Sequence, residues 1–154
     1  MNFQCKEFFL SLGVDAQLRQ LKKSEFYFVA HRKSYFNQIG KIIRFEGMEV
    51  NLNTSTTILP MNIDTGTFTA PKNGLYLFNF TGYHMSTTGT KTTVQLTCNE
   101  IVKETTTATD GCVFFIRILD LKADDYVSVR LLEGCLKGSF SDLFTRFSGI
   151  LLYK

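Results

Sequence analysis

The chain has no tryptophan, only two prolines and only two histidines in 154 residues. With so few prolines, long segments keep every backbone N–H free to donate, which suits continuous sheet. His31 and His84 stand outside any motif that would give an imidazole a nucleophile or an orienting carboxylate, so no catalytic residue is assigned and enzymatic chemistry is not expected. The four cysteines, Cys5, Cys98, Cys112 and Cys135, contain no C-x-x-C pair, which with two histidines argues against a structural zinc site. No apolar run reaches the roughly 18 residues of a membrane-spanning helix, so no membrane insertion is expected. The net charge of +3 comes from 17 basic and 14 acidic residues, too small and too mixed a surplus for a nucleic-acid partner.

What is present in quantity is strand-forming material. There are 15 phenylalanines and 6 tyrosines, together with many threonines. Aromatic and β-branched side chains fit a pleated, half-buried surface. Residues 1–24 differ from the rest. Phe8, Phe9, Leu10 and Leu12 form a short apolar patch, and Asp15 to Lys23 reads as a brief helix. This is expected to be an N-terminal leader or short helical stalk, with no evident signal peptide, and residues 25–154 a single domain.

Within that domain the sequence predicts eight to ten strands separated by turns. Glu25 to Ala30, Ile42 to Glu46, Met48 to Leu52 and Thr67 to Thr69 are the early ones. Leu75 to Tyr83 is the strongest, followed by Thr92 to Cys98, Cys112 to Leu119 and Tyr126 to Leu132. Asn99 to Gly111 reads as an edge or a loop. The last strand, Phe144 to Tyr153, is apolar on both faces. Strict alternation sets Phe147, Gly149, Leu151 and Tyr153 against Ser148, Ile150 and Leu152. Such a terminus must lie inside a sheet, with one side against the domain core and the other against a further surface, such as a neighbouring subunit. The pattern belongs to a sandwich, a jelly roll or a barrel.

Three motifs in order carry a resemblance. Asp64-Thr65-Gly66-Thr67-Phe68-Thr69-Ala70-Pro71 leads into Gly74-Leu75-Tyr76-Leu77-Phe78. Val127-Ser128-Val129-Arg130-Leu131 follows, and Phe147-Ser148-Gly149-Ile150-Leu151-Leu152-Tyr153 ends the run. Together they resemble the globular C1q domain, which shares its jelly-roll trimer with tumour necrosis factor. Asn62-Ile63-Asp64 lacks the tyrosine that the family places before the first turn, and no collagen-like Gly-x-y run precedes the domain. The second departure speaks against a complement-initiating role. The resemblance implies an all-β, ten-stranded jelly roll of two five-stranded antiparallel sheets that closes with two copies of itself into a homotrimer.

It also implies a non-enzymatic, secreted recognition module, lectin-like or pattern-recognising, that binds carbohydrate or a microbial surface ligand. The alternatives are a structural trimeric head and a tumour-necrosis-factor-like ligand for a protein receptor. For packing in the core or about the trimer axis the candidates are Phe68, Tyr76, Phe78, Phe147, Gly149, Leu151 and Tyr153. Arg117, Arg130, Lys122 and Lys137 are candidates for holding an anionic ligand. Calcium is a candidate cofactor by analogy with the family, with Asp110, Asp124 and Asp125 as hard oxygen ligands in loops. Cys98 and Cys112 flank a long connection and are expected either to pair across a hairpin base or to stay reduced. Two sequons, Asn53-Thr54-Ser55 and Asn79-Phe80-Thr81, offer glycosylation, and Asn53 is the one placed in a loop.

Overall fold

The structure is a computed structural model that describes residues 25–54, 59–85, 91–139 and 145–154. The leader over residues 1–24, with Cys5, lies outside them. The described residues form ten strands: β1 (Phe26–Arg32), β2 (Gly47–Asn53), β3 (Met61–Asn62), β4 (Thr67–Thr69), β5 (Gly74–Tyr83), β6 (Thr92–Cys98), β7 (Ile101–Ala108), β8 (Cys112–Leu121), β9 (Tyr126–Glu133) and β10 (Thr145–Tyr153). They build two five-stranded sheets, one in the order β2-β1-β10-β5-β8 and the other in the order β3-β4-β9-β6-β7. Every pairing is antiparallel. The fold is therefore the all-β jelly roll of two five-stranded sheets that the motifs imply.

Alternation explains where the core sits. In β5 the even positions Tyr76, Phe78 and Phe80 point inward and are fully buried, as is Phe147 opposite Phe80 on β10. Phe68 of β4 faces them from the second sheet. Its ring centroid lies 5.3 Å from Phe28, 5.2 Å from Phe78 and 5.5 Å from Tyr76. The stacked and edge-on pairs add to the burial of rings that are each worth about 1.5–3 kcal/mol of apolar transfer. From β6 and β9, Val94, Leu96, Val127, Val129 and Leu131 complete the layer. Gly149 is required by this packing: a Cβ there would stand 2.5 Å from Phe28 Cε1 and 2.9 Å from Phe78 Cε1.

Two features depart from expectation, and two decide between alternatives that the sequence leaves open. Ile42 to Glu46 is not a regular strand. Ile42 bridges Arg130 and the Ile43 N–H donates to Val129 O at 2.8 Å, so this segment lies along β9 beyond the end of β4. Ile101–Ala108 is a full edge strand, β7, paired with β6. Tyr153 does not join Phe147, Gly149 and Leu151 in the interior. The β10–β5 register shifts between Leu151 and Tyr153, and the bulge turns Tyr153 outward beside Leu75. Finally, Cys98 and Cys112 are both free thiols. Cys98 closes β6, and β7 runs back along its whole length before Cys112 begins β8. At about 3.3 Å per residue that leaves the two sulfurs roughly 20 Å apart, far beyond disulfide reach.

Candidate functional site

The outer surface of the first sheet is apolar. Register places Leu52, Tyr27, Ile150, Leu77 and Ile118 in one row across all five strands. The next row runs Val50, Val29, Ser148, Asn79 and Ile116. Leu75 and Tyr153 extend the face at one end, and Phe114 at the other. Ile118 is 54% exposed, Phe114 53%, Leu75 38% and Tyr153 72%. Side chains of this size gathered on one sheet face are not the scattered apolar residues of an ordinary surface. The polar margin beside Phe114 holds His31 and Arg146 in register, with Arg146 paired to Glu49 at 3.2 Å.

The outward positions of the second sheet are polar instead, with Thr93, Thr97 and Ser128 themselves buried. Thr97 and Ser128 join hydroxyls at 3.1 Å, Thr93 and Thr107 at 2.9 Å, and the Gln95 amide donates to Thr105 at 3.3 Å. At one margin of this face the segment through Ile42 and the turn at Asp64 and Thr65 border a shallow, open cleft of about 360 Å³. Lys41, Arg44 and Arg130 stand around it, and Ile42 and Gly40 also line it. Arg130 is held by Gly40 O at 3.2 Å and Glu100 at 3.3 Å.

The remaining candidates are dispersed. Of the packing set, Phe68, Tyr76, Phe78, Phe147, Gly149 and Leu151 are buried within one protomer, and only Tyr153 is on the outside. Arg117 crosses the open side of the sandwich to Glu104 of β7 at 3.4 Å. Lys122 lies in the β8–β9 turn and Lys137 follows β9, so the length of β9 separates them. Asp110 precedes β8 whereas Asp124 and Asp125 follow it, so these carboxylates do not converge. Both oxygens of Asp125 are taken, one by the Asn99 amide at 2.8 Å and the other by the Lys122 N–H at 2.8 Å. Those two donors hold its carboxyl below the usual range. Among the described residues no three His, Cys, Asp or Glu side chains are grouped as a metal site.

Asn53 ends β2 opposite Phe26 and is half-buried. Asn79 lies on the outward apolar face, in register with Ser148 and Ile116. His84 is buried, with Nδ1 2.8 Å from Thr92 Oγ1, and that hydroxyl donates to Cys135 O at 3.0 Å. This small polar cluster ties β5, β6 and the residues after β9 together. Burial pushes the Cys98 thiol up, away from a reactive thiolate. The sequence reading missed Lys41 and Arg44, because two cations three residues apart give no signal until Asp64 and Arg130 are brought beside them.

A jelly roll of two five-stranded antiparallel sheets is the architecture of C1q and tumour-necrosis-factor domains. The C1q domain family model matches residues 26–152, and the chain belongs to that family. Among solved structures, the globular domain of zebrafish complement 1qA superposes with a TM-score of 0.65 at 16% identity, covering 84% of this chain and 98% of that one. Eiger TNF from S. frugiperda gives 0.66 at 16% identity over 84% and 94% of the two chains. Murine APRIL gives 0.57 at 10% identity over 82% and 98%. At these identities the likeness is one of fold. No curated protein matches the sequence. Among the described residues no helix is long and apolar enough to cross a membrane.

Proposed function

We propose that this chain is a secreted, non-enzymatic recognition module that works as a homotrimer and binds carbohydrate or other anionic surface ligands. The observation that carries the assembly is the apolar outer face of β2-β1-β10-β5-β8. Ile118, Phe114, Leu75 and Tyr153 stand in water there although nothing in the protomer requires it. Burying one such side chain gains about 1.5–3 kcal/mol, and a closed ring repeats the gain at each contact. C1q and tumour-necrosis-factor domains typically form trimers, which supports three copies as the number. The hydroxyl-rich second sheet stays outside such a ring and offers a rigid surface for recognition.

Light scattering on the purified chain at micromolar concentration tests this. A particle of three times the 17.5 kDa chain mass is expected. A stable 17.5 kDa particle would remove the assembly.

A further inference from the structure

The cleft on the second sheet carries charges that are not matched within the protein. Lys41 and Arg44 are exposed, and neither forms an ion pair with any described residue. Asp64 lines the same cleft, yet no ion pair joins it to Lys41, Arg44 or Arg130. Opposite charges that face one space without closing on each other leave room for a group between them. The space is large for a bare anion. At about 360 Å³ it falls at the lower end of the roughly 300–1,000 Å³ usual for small-molecule sites. No aromatic ring lines it, so there is no platform for stacking a nucleobase.

We propose that this cleft binds one sugar unit bearing a sulfate or a carboxylate, within a longer acidic polysaccharide. Lys41 and Arg44 take the anionic group, Arg44 through its planar fork. Asp64 and the Thr65 hydroxyl take ring hydroxyls on the other side. Arg130, already fixed by Gly40 O and Glu100, forms the stationary wall. The segment from Gly40 to Ile43 is held on β9 by Gly40 N–H to Leu131 O at 2.7 Å, Leu131 N–H to Lys41 O at 3.1 Å and Ile43 N–H to Val129 O at 2.8 Å. The two free cations are thus mounted on backbone tied to a sheet. The inference deepens the recognition half of the proposed function and rests on it, but the cleft is complete within one protomer and does not need the trimer. If three copies assemble through the first sheet, three clefts face outward, and a polymer reaching two of them binds far more tightly than a fragment.

The test is calorimetric titration of the full chain with a heparin tetrasaccharide, its desulfated carboxylate form, and inorganic sulfate, with oligomer size measured in parallel. Saturable binding of one or both oligosaccharides, at least tenfold tighter than inorganic sulfate, is expected. Lys41→Gln and Arg44→Gln should each weaken it about fivefold to tenfold, the loss of one charge-assisted contact. Asp64→Asn should weaken the oligosaccharide while leaving sulfate unchanged or tighter. Lys103→Gln, on the edge strand β7, should change nothing. The site is overturned if the Lys41→Gln/Arg44→Gln double variant binds within twofold of the parent, if sulfate binds as tightly as the oligosaccharides, or if neither oligosaccharide binds at all. A chain that is monomeric yet loses oligosaccharide binding in the double variant supports the cleft and overturns the assembly alone.

Discussion

The two outer faces of the sandwich are built on the same strand geometry and carry opposite chemistry. On the β2-β1-β10-β5-β8 sheet the outward positions are Leu52, Tyr27, Ile150, Leu77 and Ile118. On the β3-β4-β9-β6-β7 sheet they are Thr93, Gln95, Thr97, Ser128 and Thr107, joined to one another by hydroxyl and amide contacts. Both faces share one aromatic core, so core packing does not account for the difference. A face that satisfies its own polar groups needs no apolar cover. A face of isoleucine, leucine and phenylalanine does.

The largest effect that separates the faces is expected from Ile118→Asp. If three copies close over the first sheet, each buries an unpaired carboxylate at a cost of about 3–5 kcal/mol, and the assembly should fall to single chains by sedimentation. Thr105→Asp on the second sheet should leave the particle size unchanged. An equal effect from both would erase the distinction.

The shared core should respond next. Phe147→Ala should lose about 3–5 kcal/mol by denaturant unfolding, because the ring sits among Phe28, Phe45 and Phe78. Gly149→Val should lose stability too, since the Phe28 and Phe78 rings occupy its Cβ space.

Two pH limbs come after that. Burial pushes Tyr76 from 10.0 up to about 12. Its phenol therefore ionises more easily in the unfolded chain, so its contribution is whole below pH 10.0 and is lost as pH rises towards 12. Tyr76→Phe should flatten that alkaline limb, and should cost about 0.5–1.5 kcal/mol near neutrality through the lost bond to Lys72 O. At the acid end, hydrogen bonds from Lys154 and then Lys72 lower Glu25 from 4.5 to about 2. Its contribution is present above pH 4.5 and is lost as pH falls to about 2. Glu25→Gln should remove that dependence in thermal melts between pH 5 and pH 2, roughly the window in which such a carboxylate titrates. The smallest change is expected from Thr97→Val, which breaks the buried Thr97–Ser128 contact of the second sheet for about 0.5–1.5 kcal/mol with no change in oligomer size.

Much of the fold was legible because burial leaves a period of two. Thr67–Thr69 and Thr92–Cys98 match the sequence reading residue for residue, and β5 differs by one residue at its start. Where one side of a strand lacks a core, the period fades. β7 could not be told from a loop because Ile101 and Val102 are exposed and the threonines after them mark no inside. The reverse happened at Ile42 to Glu46. Ile43 and Phe45 are buried and alternate well, yet they are held by single bonds to neighbouring backbone instead of a ladder. A bulge adds one residue without altering the letters, so Tyr153 could not be told from Leu151. The apolar face itself was visible in β10 and β5, but not that it spans five strands. The cleft depends on Lys41, Asp64 and Arg130 meeting across long separations, which no local pattern encodes.

Glu25, where the described residues begin, binds both Lys72 and the final residue, Lys154. A short flexible peptide from Lys154 to Glu25 would make the backbone a closed loop, and new ends could be opened in a turn such as the one at Gly111 without unthreading a strand. The same adjacency means that whatever is joined at Glu25 and whatever is joined at Lys154 would leave the sandwich from one spot.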